Sequence, residues 1–136
     1  MSESPRILVV DDEKIVCDMT RKFLTADGYE VTTFTDSTEA MEALRNERFD
    51  VVITDLKMKG VDGIQLLEFA RQQHPETKVI LLTAFGSLES ATEALRKDAF
   101  DYFTKPVRIK DLQAAVRRAL GREPPPERVV AKVPAE

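Results

Sequence analysis

Residues 7–13 read Ile-Leu-Val-Val-Asp-Asp-Glu, four apolar residues running straight into three acids. An apolar run this short, with charge at its end, fits a strand buried on both faces, and the acids mark where it emerges into water. It is also too short for a secretory signal core or a membrane span. The same design recurs along the chain. Residues 51–54 (Val-Val-Ile-Thr) end in Asp55, residues 79–82 (Val-Ile-Leu-Leu) end in Thr83, and residues 100–103 (Phe-Asp-Tyr-Phe) lead through Thr104 to Lys105 and Pro106. A weaker segment over residues 30–34 alternates Val31 and Thr33 with Thr32 and Phe34, as an edge strand would.

Between the strands, apolar residues recur at spacings of three and four. Ile15, Met19 and Phe23 predict the inner stripe of a first helix, and Ile109, Leu112, Val116 and Leu120 that of a fifth. Gly28 falls where the first helix needs a left-handed closing residue, and Asp36 and Ser87 are suited to cap the second and fourth. The third helix is expected over residues 62–73, before Pro75, with Ile64, Leu67, Phe69 and Ala70 facing inward. The fourth is expected to bury Leu88, Ala91, Ala94 and Leu95, a thinner stripe that holds it loosely.

Five strands joined by helix-length connections cannot form hairpins, so the expected class is α/β: a parallel sheet with right-handed crossovers and helices on both faces. Strands one, three and four are continuous apolar runs suited to the centre. Strands two and five carry polar interruptions suited to the edges, which supports a flavodoxin-like order of 2-1-3-4-5.

With 136 residues, 43% hydrophobic and 32% charged, the chain has the size and composition of one soluble domain. Its single cysteine, Cys17, excludes an internal disulfide framework, and a cytoplasmic location is expected. A net charge of −4 argues against direct nucleic-acid binding by this segment, and no membrane association is expected. The domain is expected over residues 1–120. Residues 121–136, with three prolines at 124–126, read as a linker or tail.

Ligands of an open parallel sheet bind beyond the carboxyl ends of its strands. There this chain places Asp11, Asp12, Glu13, Asp55, Thr83 and Lys105. Two carboxylates about 4 Å apart repel by roughly 4 kcal/mol at an effective dielectric near 20, so a cation is expected among them. An all-oxygen donor set without histidine or cysteine favours Mg²⁺, or Mn²⁺, over zinc. Asp55, alone at the end of a central strand, is the candidate nucleophile toward phosphorus. Thr83 and Lys105 are candidates to contact the phosphoryl oxygens.

The residues that carry this chemistry resemble a known family. Val9-Val10-Asp11-Asp12-Glu13, Ile53-Thr54-Asp55-Leu56-Lys57-Met58, Asp62-Gly63, Leu82-Thr83-Ala84 and Tyr102-Phe103-Thr104-Lys105-Pro106 are similar to the receiver domain of two-component response regulators. Residues 83–91 and 99–102 look most like receivers of the NtrC type, which serve transcription regulation. The resemblance implies that Asp55 accepts a phosphoryl group from a sensor histidine kinase or phosphotransfer protein. It implies that Mg²⁺ is held by Asp12, Asp55 and the backbone carbonyl of Lys57, with Asp11 acting through water. It further implies that Thr83 and Lys105 contact the phosphoryl group and that the Lys105–Pro106 bond is cis. Lys59 stands where the family often has proline, which bears on the stiffness of the loop after Asp55.

By the same resemblance, Tyr102 turns inward as Thr83 moves on phosphorylation; the loosely held helix four is the expected moving part, which makes its face with strand five and helix five the expected output surface and phosphorylation-dependent homodimer contact. Lys57 and Phe85 should flank the path of attacking water and give a phosphoryl lifetime of minutes or longer. His74 reads as a solvated loop residue, Cys17 as a packing residue, and Arg117, Arg118 and Arg122 as a helix-end cluster needing no ligand. Three other readings compete. A Mg²⁺-dependent phosphohydrolase with an aspartyl-phosphate intermediate lacks the acid it would need at Lys57. A pseudo-receiver would lack some phosphorylation residue, whereas none is missing. A flavodoxin-like cofactor carrier would have a phosphate-cradling loop where Asp11, Asp12 and Glu13 stand.

Overall fold

The computed structural model describes residues 4–84 and 88–122, without the side chains of Leu88 and Ser90. The expected Ser87 cap, Phe85, the Leu88 side chain and the proline-rich segment 123–136 lie outside the described residues. Strands and helices alternate: β1 (Arg6–Val10), α1 (Lys14–Ala26), β2 (Glu30–Phe34), α2 (Ser37–Asn46), β3 (Val51–Asp55), α3 (Gly63–Gln73), β4 (Lys78–Thr83), α4 (Leu88–Arg96), β5 (Asp101–Thr104) and α5 (Ile109–Ala119). The five strands form one parallel sheet in the order β2-β1-β3-β4-β5, the expected topology with the expected edges.

The two-residue period of a strand accounts for the two halves of the core. Leu8, Val10, Val52, Val79 and Leu81 face one side and pack under Leu44, Leu66, Leu67 and Ala70 of α2 and α3. Ile7, Val9, Val51, Ile53, Ile80 and Leu82 face the other and pack under Cys17, Leu24, Leu112, Ala115 and Val116 of α1 and α5. Both faces are covered, so the central strands carry no polar alternation.

Two helical faces differ from the expected stripes. In α1 the buried residues are Cys17, Thr20 and Leu24, while Ile15 is 68% and Met19 53% exposed. The inner stripe is therefore turned by part of a turn, with a threonine in it. In α4 Ala94 is buried and Ala91 half-buried, but Leu95 is 57% exposed and so does not join the expected inner stripe. In α3, Leu66 joins Leu67 and Ala70 at full burial, while Ile64 and Phe69 are only partly covered.

The expected helix ends at Asp36 and Gly28 are both observed. Asp36 accepts from the amides of Thr38 and Glu39, and Asp62 forms a reciprocal capping box with Gln65. Three helices close through a left-handed residue with paired amide-to-carbonyl bonds: α1 at Gly28 (φ +97°), α5 at Gly121 (φ +73°) and α4 at Asp98 (φ +71°). α5 is also tied to β5, because Arg118 donates to Asp101 at 2.7 Å with only 8% of its side chain exposed. Arg118 thus has a specific partner, unlike the general helix-end role expected of it. By contrast, α4 is linked to α3 by the exposed pair Lys97–Glu68 at 2.6 Å.

Candidate functional site

Strand register brings the site together. Val10 lies opposite Thr54, Asp55 opposite Leu82, and Thr83 opposite Thr104, so Asp11, Asp55, Thr83 and Lys105 emerge side by side at one sheet edge. The amide of Asp11 donates to the Phe34 carbonyl at 3.1 Å, and that of Lys105 donates to the Thr83 carbonyl at 2.8 Å, extending the ladder to the site residues themselves. The Lys105–Pro106 peptide is cis, as the resemblance implies. His74 caps the far end of α3, away from this edge.

Asp11, Asp12 and Asp55 each offer a carboxylate oxygen, and these atoms lie within 4.8 Å of one another. Asp11 and Asp55 are buried and Asp12 is exposed, so the group opens to solvent on one side. The ammonium of Lys105 sits among them, 2.7 Å from Asp11 Oδ2, 3.2 Å from Asp55 Oδ2 and 3.2 Å from Glu13 Oε1. Burial pushes the Asp11 carboxyl above its usual range, and the Asp55 charge adds to this, against the lowering effect of Lys105 and the Glu13 amide. Burial alone would lower the Lys105 ammonium, but its contacts with Asp11 and Asp55 outweigh this and hold it above its ordinary value. It is charged at any physiological pH.

One observation speaks for a metal ion. Asp11, Asp12 and Asp55 bring three carboxylates together against the single ammonium of Lys105, which leaves the group an excess of negative charge. A hard cation would offset that excess, and the all-oxygen, three-carboxylate donor set fits one of the Mg²⁺ class.

The loop after Asp55 is built for closeness. Its Lys57 amide lies 3.3 Å from Asp55 Oδ1, and the Gly63 amide donates to the Leu56 carbonyl at 2.9 Å. A Cβ at Gly63 would meet the Asp55 carbonyl oxygen at 2.4 Å. Lys59 does not leave the loop unbraced, because the Ser37 hydroxyl donates to its carbonyl at 2.9 Å. A cleft of about 620 Å³ opens beside the triad, between Asp12, Asp36, Thr38, Met58 and Lys59. Thr83 is fully buried and Tyr102 half-buried against the α2–α3 side of the core. Buried Cys17 donates its thiol to the carbonyls of Asp11 and Phe34, and burial raises that thiol to about 11, which fits the packing role expected of it.

Sequence reasoning named Asp11, Asp12, Asp55, Thr83 and Lys105, and all lie at this edge. It counted Glu13 among the strand-end acids but gave it no role. Its contact with Lys105 spans 92 residues and follows only from the sheet order.

An open parallel α/β sheet with an acidic triad and one ammonium at its carboxyl edge defines a class of small acidic-site domains of flavodoxin-like architecture. The chain belongs to the response regulator receiver domain family, whose model matches residues 7–117. Over 114 residues it is 38% identical to the DNA-binding transcriptional regulator NtrC of Escherichia coli K12, covering 84% of this chain and 24% of that protein. It therefore spans about a quarter of that relative's length. A CheY-like receiver domain from Methanospirillum hungatei superposes with a TM-score of 0.84 at 34% identity, covering 88% of this chain and 95% of the other. The beryllofluoride-activated NtrC4 receiver domain dimer gives 0.81 at 28% identity, with coverage of 85% and 96%. As a receiver domain of two-component signalling, the chain is a signalling module consistent with phosphorylation-dependent switching. Among the described residues, no helix is long and apolar enough to cross a membrane.

Proposed function

We propose that Asp55 is the phosphoacceptor of this domain and that its modification by a histidine kinase or phosphotransfer protein is the switching event. The observation that carries the reading is the placement of the Lys105 ammonium 3.2 Å from Asp55 Oδ2 inside a triad of carboxylates. An Asp55 oxygen attacks the phosphorus of a phosphohistidine, the P–N bond breaks, and the imidazole leaves with the electron pair. Lys105 is within reach of the incoming phosphoryl oxygens, and Thr83, from the neighbouring strand end, is the second group assigned to them. Asp12, Asp55 and the Lys57 carbonyl would hold Mg²⁺, with Asp11 beside them, and Mn²⁺ is an acceptable substitute. When bound, the ion neutralises charge on the phosphoryl group and on the triad.

On this reading the output face is α4, β5 and α5. Support comes from the exposure of Leu95 on α4 and from the half-buried Tyr102 on the adjoining edge strand. A second copy of the chain is the proposed partner there, by analogy with the NtrC4 receiver dimer. Residues 121–136 are proposed to be a linker or tail, and Lys57 with Phe85 to slow hydrolysis to minutes or longer. The phosphohydrolase alternative remains disfavoured, because an exposed lysine stands at position 57.

The test is incubation with acetyl phosphate and Mg²⁺ followed by intact mass. The native chain should gain one phosphoryl group, and Asp55→Ala none. Equal labelling of both proteins would overturn the assignment.

A further inference from the structure

Glu13 occupies the N-cap position of α1, a place where serine, threonine, aspartate or asparagine normally accepts from the first free amides. Its side chain makes no such bond. Instead it reaches across the sheet edge to Lys105 Nζ at 3.2 Å, although 61% of the side chain is exposed.

A lysine ammonium has three N–H donors, and here it faces three carboxylates. They are not equivalent. Asp11 is 2% exposed and lies 2.7 Å away on the inner side, Asp55 is 8% exposed at 3.2 Å, and Glu13 lies on the outer side. Asp11 and Asp55 belong to the triad that could hold a metal ion, whereas Glu13 does not. Without an outer partner, the shortest contact would draw the ammonium inward onto Asp11 and away from the Asp55 oxygen.

We infer that Glu13 is a positioning residue for Lys105. It pulls outward against Asp11, keeps the ammonium over Asp55 Oδ2, and stays available as a partner once the other two carboxylates are engaged. The inference deepens the proposed phosphoryl-acceptor role and rests on it for the kinetic consequence, while the ammonium geometry stands without it.

Two variants separate positioning from the alternatives. Glu13→Gln keeps the reach but removes the charge. Glu13→Asp keeps the charge and improves the cap, yet is one methylene too short to hold the contact. Both should slow labelling by acetyl phosphate about two- to fivefold, the factor expected of an ion pair with one exposed partner. A general field effect predicts the opposite for Glu13→Gln, since removing an anion should speed approach of an anionic donor. A capping role predicts no loss in Glu13→Asp. Faster or unchanged labelling of Glu13→Gln, or native rates in Glu13→Asp, would therefore overturn the inference.

The second measurement needs no phosphoryl transfer. In metal-free protein labelled with ¹⁵N-lysine, the Lys105 ammonium resonance should exchange its protons slowly in the native chain and faster in both variants. Unchanged exchange would refute the positioning role. Failure of the native chain to take up phosphate would instead refute the acceptor role of Asp55 and leave this readout intact.

Discussion

Replacing Gly63 by alanine tests how tightly the fold grips its own reactive edge. A Cβ there would lie 2.4 Å from the Asp55 carbonyl oxygen, 2.8 Å from the Leu56 Cα and 3.1 Å from the Asp55 carbonyl carbon. Comfortable non-bonded separations are about 3.5–4.0 Å, so the contact must open by roughly 1 Å. All three obstructing atoms are backbone at the end of β3, and none can swing aside as a side chain would. Either α3 withdraws from the sheet, breaking the Gly63 amide bond to Leu56, or the strand end that carries Asp55 moves. Overpacking of this kind costs about 1–3 kcal/mol. For a domain of this size, roughly 4 °C per kcal/mol then gives a fall in melting temperature of about 4–12 °C. Thermal unfolding followed by far-ultraviolet circular dichroism measures the first effect, and the rate of acetyl phosphate labelling should fall with it. A melting temperature within about 1 °C of the native value would refute the reasoning, because it would mean that the loop yields freely.

Two further outcomes follow from single residues. Asp98 closes α4 at φ +71°, a conformation that strains a side-chain-bearing residue, so Asp98→Gly should raise stability by about 0.5–1 kcal/mol in urea unfolding. A loss of stability would show that its carboxylate compensates for the strain. The Asp11 carboxyl is raised above its ordinary 3.8, chiefly by burial, so the folded chain binds its proton at higher pH than the unfolded chain does. Asp11 therefore weighs against the metal-free fold at neutral pH, and this burden is relieved as pH falls through the raised value toward 3.8. The stability of Asp11→Asn relative to native should accordingly be greatest at neutral pH and decline on acidification, measured without divalent ions. A difference that is flat or rises on acidification would contradict the sign.

Much of the architecture is legible in the strands, because burial on both faces writes an unbroken apolar run such as residues 51–53, and a strand end writes the acid or hydroxyl after it. The site is legible for the same reason, since four strand ends in parallel must share one edge. Helix orientation is less so. Ile15 and Met19 have good spacing for a core stripe, yet the inward face of α1 carries Cys17 and Thr20, whose thiol and hydroxyl hide its apolar character. Leu95 misleads in the same way, as an apolar residue that the fold leaves at the surface. Pairings between distant charges leave no local pattern at all. Arg118 with Asp101, and Glu13 with Lys105, meet only after the sheet order is known.

The two helices beside β5 are fastened in different ways. Breaking the Arg118–Asp101 bridge would leave a guanidinium of 8% exposure without its carboxylate, at a cost above the roughly 0–1 kcal/mol of an exposed pair, whereas the Lys97–Glu68 link is open to water and weakened by salt. α5 is thus held to β5 by a sheltered charge pair, while the tie between α4 and α3 is one that salt loosens, so ionic strength acts on the two helices unequally.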